Sequence, residues 1–444
     1  MADLNSTIIN KLNHLSKSAA FPGIVLIMVS FIALFWANSR FGNTYFEIWQ
    51  NQFSIGFGTA QISKPLLLWI NDGLMAMFFF VIGLEIKREV IAGELSTWKK
   101  AAMPVYAALG GMLVPALIFF LFNYDEPSLS GWGIPMATDI AFSLGVLALL
   151  GRRVPLSLKI FLTALAIVDD LGAVLVIAFF YTSKIIFSNV LLGALFLGVM
   201  ILMNWAGVRN KLAYAIPGIL GIWLAFLLSG VHATIAGVLA AFVIPASTKI
   251  SVTDFKEAMV NLANGIKVFK QKNNPFLTSE EHRVISEIKE TCEHYEPPLQ
   301  SLEKSLHHWV IFLILPVFAL SNTGVLIGNN LFSEISSSTG LGINFGLVAG
   351  KPIGILLFAW LAFKMKLATL PENIKWIHIL GIGFLGGIGF TMALFVASLA
   401  YTELELINNS KISILFASIV AGLAGYLILK KTLPKTRIEK RELN

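Results

Sequence analysis

Charge is scarce in this chain. Only 13% of its 444 residues are Asp, Glu, Lys or Arg, where a soluble domain carries about 25%. Hydrophobic residues make up 56%, and the mean hydropathy is +0.76. These values exclude a soluble enzyme, a disordered chain and a nucleic-acid binder, and leave a polytopic helical membrane protein. The net charge of +7 does not reopen the nucleic-acid reading, because cytoplasmic loops of membrane proteins collect Lys and Arg. Cysteine is nearly absent. Cys292 stands alone, which excludes an intramolecular disulfide and a multi-cysteine metal site and reads as an incidental free thiol. No Gly-x-x-x-x-Gly-Lys-Ser/Thr stretch occurs, so no phosphate-binding loop and no nucleotide-driven step is visible.

What the chain has is long apolar runs. A helix crossing a bilayer needs about 20 mostly apolar residues. Twelve candidate spans follow, at 21–38, 65–86, 102–122, 134–150, 157–181, 187–206, 212–229, 231–247, 307–328, 340–363, 376–400 and 410–429. Together they predict an all-α polytopic membrane protein in one transmembrane domain over 1–444. Span 231–247 is short, and spans 134–150 and 376–400 are interrupted by proline or rich in glycine.

The loops set the orientation. Of 33 Lys and Arg, only Arg40, Lys64, Lys184 and Lys411 fall outside if the N-terminus is inside; Lys351 lies within a span, and the rest are inner. The asymmetry predicts both termini in the cytoplasm. Residues 1–20 carry Ile8, Ile9, Leu12 and Leu15 at helical spacing, an in-plane amphipathic helix rather than a cleaved signal. In 44–64, Phe53, Ile55 and Phe57 alternate with Gln52, Ser54 and Gly56, a period of two that predicts an external β-hairpin. Residues 248–306 form a long mixed-charge cytoplasmic loop, helical around Glu280–Glu293 or disordered. A basic cytoplasmic tail occupies 430–444.

Ionisable groups inside spans mark ion paths or pairs. Here they are Asp72, Asp139, Asp169, Asp170 and Lys351, with Glu85 near the cytoplasmic end of the second span. Asp169 and Asp170 are adjacent in mid-span. Neighbours on a helix point about 100° apart, so one carboxylate can face a cavity while the other faces a neighbouring helix. A purely structural ion pair would need one aspartate, not two. Lys351 is the one intramembrane base, and it pairs with Asp169 if spans 3–5 and 10–12 pack together.

Asp139 follows Pro135 and Thr138, with Gly131 and Gly133 upstream, so its helix is a candidate for interruption. There Asp139 either compensates the positive half-helix ends or is a plain N-cap. Thr138 offers its hydroxyl to a cation or to the backbone. In the eleventh span Gly381, Gly383, Gly386, Gly387 and Gly389 serve close packing or a second break. A short echo, Thr138-x-x-x-Phe142 and Thr391-x-x-x-Phe395, favours the break. Spans 4 and 11 are an odd number of crossings apart, so such repeats would be inverted, with a midplane site between broken helices. His232 reads as a structural residue. Glu85, Glu89, Glu303 and His307 form either a pH-titrating group near one membrane face or a solvated rim.

The stretches Trp69-Ile70-Asn71-Asp72-Gly73-Leu74-Met75, Gly83-Leu84-Glu85-Ile86-Lys87-Arg88-Glu89, Ala137-Thr138-Asp139-Ile140-Ala141-Phe142, Ala166-Ile167-Val168-Asp169-Asp170-Leu171-Gly172, Gly230-Val231-His232-Ala233-Thr234, Gly350-Lys351-Pro352 and Gly387-Ile388-Gly389-Phe390-Thr391-Met392 together resemble the NhaA-type sodium/proton antiporter family over about residues 10–430. The resemblance implies about twelve spans in inverted-topology repeats, two interrupted helices and a small external hairpin. It implies that Asp170 binds the cation and releases the proton, that Asp169 pairs with Lys351, and that Thr138 and Asp139 lie at the crossing of the broken helices. Asp170, Asp169 and Thr138 would then hold a transient Na⁺. Glu85, Arg88, Glu89, Glu303 and His307 match a pH-responsive cluster, and 44–64 matches a hairpin used for homodimerisation. The 248–306 loop is longer than the family pattern, and Lys304 stands where a second histidine is expected; both bear on the pH response rather than on transport.

These readings converge on an electrogenic Na⁺(Li⁺)/H⁺ antiporter of the bacterial cytoplasmic membrane. It would need no cofactor, and its partners would be Na⁺, Li⁺, H⁺ and the bilayer. The alternative of similar architecture is a sodium-coupled organic-anion symporter. An intramembrane aspartyl protease is disfavoured by the divergence of adjacent aspartates and the lack of Gly-x-Gly-Asp, and a passive cation channel by Lys351 near the path.

Overall fold

The computed structural model describes residues 21–57, 60–182, 185–266, 276–328, 331–371 and 373–434. The expected amphipathic N-terminus, 1–20, and most of the basic tail, 435–444, lie outside the described residues. Among the described residues the chain is helical nearly throughout, with one two-stranded antiparallel sheet.

Among the described residues seven helices are long and apolar enough to cross a membrane: Leu66–Ala92, Trp98–Phe122, Leu156–Phe180, Phe187–Trp205, Pro298–Asn322, Ser338–Lys364 and Leu404–Thr432. Three bent pairs raise the number to ten. They are Phe21–Ala37 with Gly42–Gln50, turning by 109°, Pro127–Met136 with Ile140–Ala148, by 43°, and Trp376–Gly386 with Phe390–Ala400, by 48°. Shorter apolar helices occupy Lys211–Leu227 and Ala233–Val243. Every one of the expected segments therefore carries apolar helix, but these last two fall short of a span by length. The breaks at 137–139 and 387–389 are the two that the proline and glycine patterns predict.

Wide π-type turns interrupt several helices. Those at Pro217–Trp223, Val310–Ile314 and Gly346–Gly350 each contain or closely precede a proline: Pro217, Pro316 and Pro352. Proline lacks the amide that would bond four residues back, and the ladder widens to absorb the loss.

By contacts the chain divides into two compact units, one of Met1–Phe78, Glu89–Ser183 and Trp309–Asn444, the other of Phe79–Arg88 and Lys184–His308. In the first unit the dominant packing is Trp98–Phe122 against Ser338–Lys364. It is a close crossing of glycines, since a Cβ on Gly110 would overlap Gly354 O and a Cβ on Gly354 would overlap Gly110 O. Small residues let backbones touch where bilayer helices have no water-driven force to hold them. Likewise a Cβ on Gly383 would stand 2.8 Å from Pro352 Cα, so the Trp376–Gly386 half-helix lies directly on the helix that carries Lys351.

The second unit has its own core around Leu84, Met200, Tyr214, Ile222, Phe226 and Leu299. Lys87 donates to Phe242 O at 2.7 Å and Ile244 O at 2.5 Å, satisfying carbonyls left open at the end of Ala233–Val243.

One expectation needs correction, and one open reading is decided. The hairpin is shorter than 44–64: its strands are β1 (Gln52–Phe57) and β2 (Ala60–Pro65), paired with Gln52 opposite Pro65 and Ile55 opposite Ile62. Gly42–Gln50 is instead a helix. Tyr45 and Trp49, four apart, pack edge-on at 6.1 Å, which is helical rather than strand spacing. Tyr45 Oη donates to Leu320 O at 2.7 Å and accepts from Gly324 N at 3.0 Å. The 248–306 segment is largely helical, as Val252–Ile266, Ser279–Tyr295 and the start of Pro298–Asn322; 267–275 lie outside the described residues. A capping box explains the second of these: Thr278 Oγ1 accepts from Glu281 N, and Glu281 Oε2 accepts from Thr278 N at 2.7 Å.

Candidate ion-binding site

Asp169 and Asp170 lie midway along Leu156–Phe180, each 1% exposed. A carboxylate so deep needs partners. Asp169 has two at one oxygen: Lys351 Nζ is 2.9 Å from Oδ2, and Thr138 Oγ1 donates to the same atom at 2.7 Å. The other oxygen, Oδ1, is buried and accepts no hydrogen bond among the described residues.

Thr138 is placed by the first break. After the tight helix Pro127–Met136, Ala137 is extended and Asp139 opens the next half-helix. The second break follows Gly386. The two breaks cross and bond each other. Asp139 N donates to Ile388 O at 2.7 Å, Ser143 Oγ to Leu385 O at 2.7 Å, and Thr138 Oγ1 lies 2.9 Å from Gly386 O. Two donors of the first half-helix, Asp139 N and Ser143 Oγ, thus meet carbonyls at the end of the other, and the Thr138 hydroxyl, whose one proton goes to Asp169, lies beside a third.

The Asp139 carboxylate serves the opposite ends. Its Oδ1 accepts from Phe142 N at 2.9 Å, and its Oδ2 accepts from Thr391 N at 3.1 Å and Thr391 Oγ1 at 2.5 Å. It is both the N-cap of its own half-helix and the counter-charge at the start of the other, so the two sequence readings are not alternatives. Helix N-termini carry partial positive charge, and one carboxylate answers two of them. At a negative end, the Lys351 ammonium donates to Met136 O as well as pairing with Asp169. Thr138, Asp169 and Lys351 are thereby one bonded group, with Asp139 next to Thr138 and Asp170 next to Asp169 in the chain.

The sequence echo does not align on the breaks. Thr138 precedes its half-helix and its capping residue, whereas Thr391 is the second residue inside Phe390–Ala400. The rings that meet across the crossing are Phe142 and Phe390, 5.2 Å apart, rather than the echoed pair. Sequence reasoning missed Thr391 as a partner of Asp139, Ser143 as a donor, and the carbonyls of Met136 and Gly386. A hydroxyl two residues past the Gly387–Gly389 break was the available signal for Thr391. Backbone carbonyls leave none.

The charged group on Leu66–Ala92 separates. Glu85 Oε1 is 3.6 Å from His307 Nδ1, and Arg88 pairs with Glu303, all within the second unit. Glu89 belongs to the first unit. Its Oε2 accepts from Glu94 N at 2.9 Å. It borders a cavity of about 400 Å³ with Glu94, Lys159 and Thr163. Thr163 is seven residues before Asp170, two turns along one helix face. Asp72 pairs with Lys64 at 2.9 Å. His232 sits at the start of Ala233–Val243, and Cys292 is exposed.

These carboxylate and hydroxyl oxygens suit a hard cation, which prefers oxygen ligands. The family model described as Na+/H+ antiporter 1 matches residues 13–429. The chain is 49% identical over 422 residues to the Na(+)/H(+) antiporter NhaA of Oleidesulfovibrio alaskensis, covering 95% of this chain and 94% of that one. It is 48% identical over 410 residues to the Na(+)/H(+) antiporter NhaA 1 of Psychromonas ingrahamii, covering 92% and 93%. Against the Na(+)/H(+) antiporter NhaA 2 of Syntrophotalea carbinolica it is 44% identical over 416 residues, covering 94% and 95%. With crossed broken helices, a buried Asp–Lys pair and likeness along almost its whole length, the chain is a multi-pass membrane protein that belongs to the Na+/H+ antiporter 1 family of secondary transporters.

Proposed function

We propose that this protein is an electrogenic antiporter that extrudes Na⁺ or Li⁺ from the bacterial cytoplasm in exchange for external protons. One observation carries the reading. Asp169 Oδ2 is shared by Lys351 and Thr138 at the crossing of two broken helices, with Asp170 next in the chain. Protonated, Asp170 cannot coordinate a cation; ionised, it can. A cation entering among Asp170, Asp169 and Thr138 displaces the proton, and a proton returning from the other side expels the cation. When the cation takes Asp169 from Lys351, the freed ammonium gives up a proton in addition to the one Asp170 releases, so more than one proton moves per cation. Alternating access comes from rocking of one bundle against the other around a midplane site.

The finer architecture proposed is one transmembrane domain of twelve spans in the cytoplasmic membrane, spans 3–5 and 10–12 forming inverted repeats, with both termini inside. The hairpin within 44–64 serves a homodimer. Glu85, Arg88, Glu89, Glu303 and His307 set the response to pH; the two ion pairs Glu85–His307 and Arg88–Glu303 support this.

The test uses everted membrane vesicles with an acidified interior and a pH-sensitive dye. Na⁺ or Li⁺ should release protons in wild type and not in Asp170→Asn, with K⁺ ineffective. Absence of any cation-dependent release from neutral to alkaline pH, in vesicles holding folded protein, overturns the antiport reading. Uptake of an organic anion with Na⁺ would point to a symporter instead.

A further inference from the structure

The Ser338–Lys364 helix has a second face, away from the aspartates. Its buried side holds Lys351, Pro352, Ile355 and Ala359. On the other side Ile353, Leu356, Leu357 and Trp360 follow at three- and four-residue steps, one continuous stripe. With Trp376 they line a groove of about 350 Å³. The protein leaves it open: Ile353 is 53% exposed, Leu357 48% and Trp360 42%. Phe363 meets Trp376 at 5.5 Å and ties the stripe to the start of the Trp376–Gly386 half-helix.

One end of the groove is basic. The next residue of the stripe is Lys364, whose Nζ lies 4.8 Å from the Trp360 ring centroid. Lys366 and Lys375 are exposed on the short connection that follows. Lys366 has φ +59°, and behind it Leu367 N donates to Ala362 O at 3.0 Å. That left-handed position after a helix is one that glycine fills without cost. Lys366 is thus kept two residues past the helix end against the backbone preference, Lys375 directly precedes the groove-lining Trp376, and with Glu372 on the same connection the three lysines and one glutamate sum to +2.

We propose that this groove holds an acyl chain of an anionic phospholipid, with the phosphate against Lys364, Lys366 and Lys375. A helix face in a bilayer always meets lipid, but a concave apolar trough orders one chain. Two tryptophans at one end mark the interfacial level. A cluster of lysines at that level selects net negative headgroups, as basic pockets between spanning helices do. Zwitterionic lipid fits the trough equally and gains no charge term. The bound lipid spans the end of the Lys351-bearing helix and the start of the half-helix whose Gly386 O meets Thr138, so it braces two elements of the site from outside.

The experiment reconstitutes the full chain in phosphatidylcholine vesicles doped with phosphatidylglycerol carrying a diazirine in one acyl chain, or with the matching phosphatidylcholine probe. After irradiation, labelled residues are mapped by peptide mass spectrometry. The phosphatidylglycerol probe should label 353–376 several-fold more than the phosphatidylcholine probe. Each lysine near an anionic surface is worth about fivefold in partitioning, so Lys364→Gln with Lys366→Gly should erase most of that preference. Lys366→Gly relieves the left-handed backbone, so its loss of label is not misfolding. Leu357→Trp, filling the trough, should suppress labelling by both probes. Equal labelling by the two probes, undiminished labelling in the lysine variant, labelling only elsewhere on the chain, or a cross-link from 353–376 to a second copy would each overturn the proposal. No readout depends on transport, so this result stands apart from the antiport test.

Discussion

Lys351 and Asp169 meet at 2.9 Å with both side chains fully shielded from solvent. Each charge is tolerable in the interior because of the other, and Met136 O and Thr138 Oγ1 each add a hydrogen bond, at Lys351 Nζ and Asp169 Oδ2.

Breaking that pair from one side should leave an uncompensated buried charge. Lys351→Ala should lower the stability of the purified protein in detergent by about 3–5 kcal/mol. The paired change Lys351→Met with Asp169→Asn should recover at least half of the loss, because it removes both charges. Thermal unfolding of the single and double variants measures this. Strictly additive losses would mean that the two groups do not depend on each other.

Thr391 should matter through its hydroxyl. Thr391→Ser keeps the donor to Asp139 Oδ2 and should be close to neutral. Thr391→Val removes it and should cost about 1.5–3 kcal/mol, as for a hydrogen bond to a charged group. A double-mutant cycle with Asp139→Asn isolates the interaction, and a coupling near zero would reject it.

The Gly110–Gly354 crossing admits no side chain. Gly354→Val should destabilise by about 1–3 kcal/mol or more, since overpacking a tight contact forces the helices apart. Gly198 is the control: a Cβ there meets nothing within 4 Å, so Gly198→Ala should be neutral or gain up to about 1 kcal/mol from helix propensity. Melting temperatures and monodispersity of the two variants decide the matter.

The two ion pairs of the second unit should differ in their pH dependence. An imidazole carries charge only when protonated, with an intrinsic pKa of about 6.5. The Glu85–His307 attraction should therefore be present in mildly acidic buffer and lost as the pH rises past the histidine's titration. The Arg88–Glu303 attraction should persist, because guanidinium stays charged. His307 is 51% exposed, so its coupling should be small, about 0.2–1 kcal/mol. Double-mutant cycles on unfolding at acidic and alkaline pH test both; a Glu85–His307 coupling that survives alkaline pH would contradict the assignment.

Much of the fold is visible in the residues because burial in a bilayer is a composition problem. Long apolar runs, Pro135 before Thr138, and the glycines around Ile388 each act within a few residues of themselves, so spans and both breaks could be read locally. The adjacency of Asp169 and Asp170 fixed their divergence in the same way. The helix Gly42–Gln50 was missed because alternation in Phe53–Phe57 was extended too far upstream, past aromatic residues whose partners, Leu320 and Gly324, are remote in sequence. The helices in 248–306 were half-legible, since their apolar faces pack on each other, as in the stacking of Phe255 on Tyr295 at 4.2 Å.

The sequence by itself determined that this chain lives in a membrane, where two of its three sharply bent helix pairs break, and which few charges it must hide there. Those are consequences of hydropathy, proline and glycine, all local. Only the tertiary structure decided which partner each hidden charge takes. Asp139 answers two half-helix ends, Lys351 reaches both Asp169 and Met136 O, and Thr138 stands between Asp169 and Gly386 O. Four of those six contacts go to backbone groups, whose carbonyl every residue carries and whose amide all but proline do. No side-chain pattern marks them, and only the crossing of the helices brings them within reach.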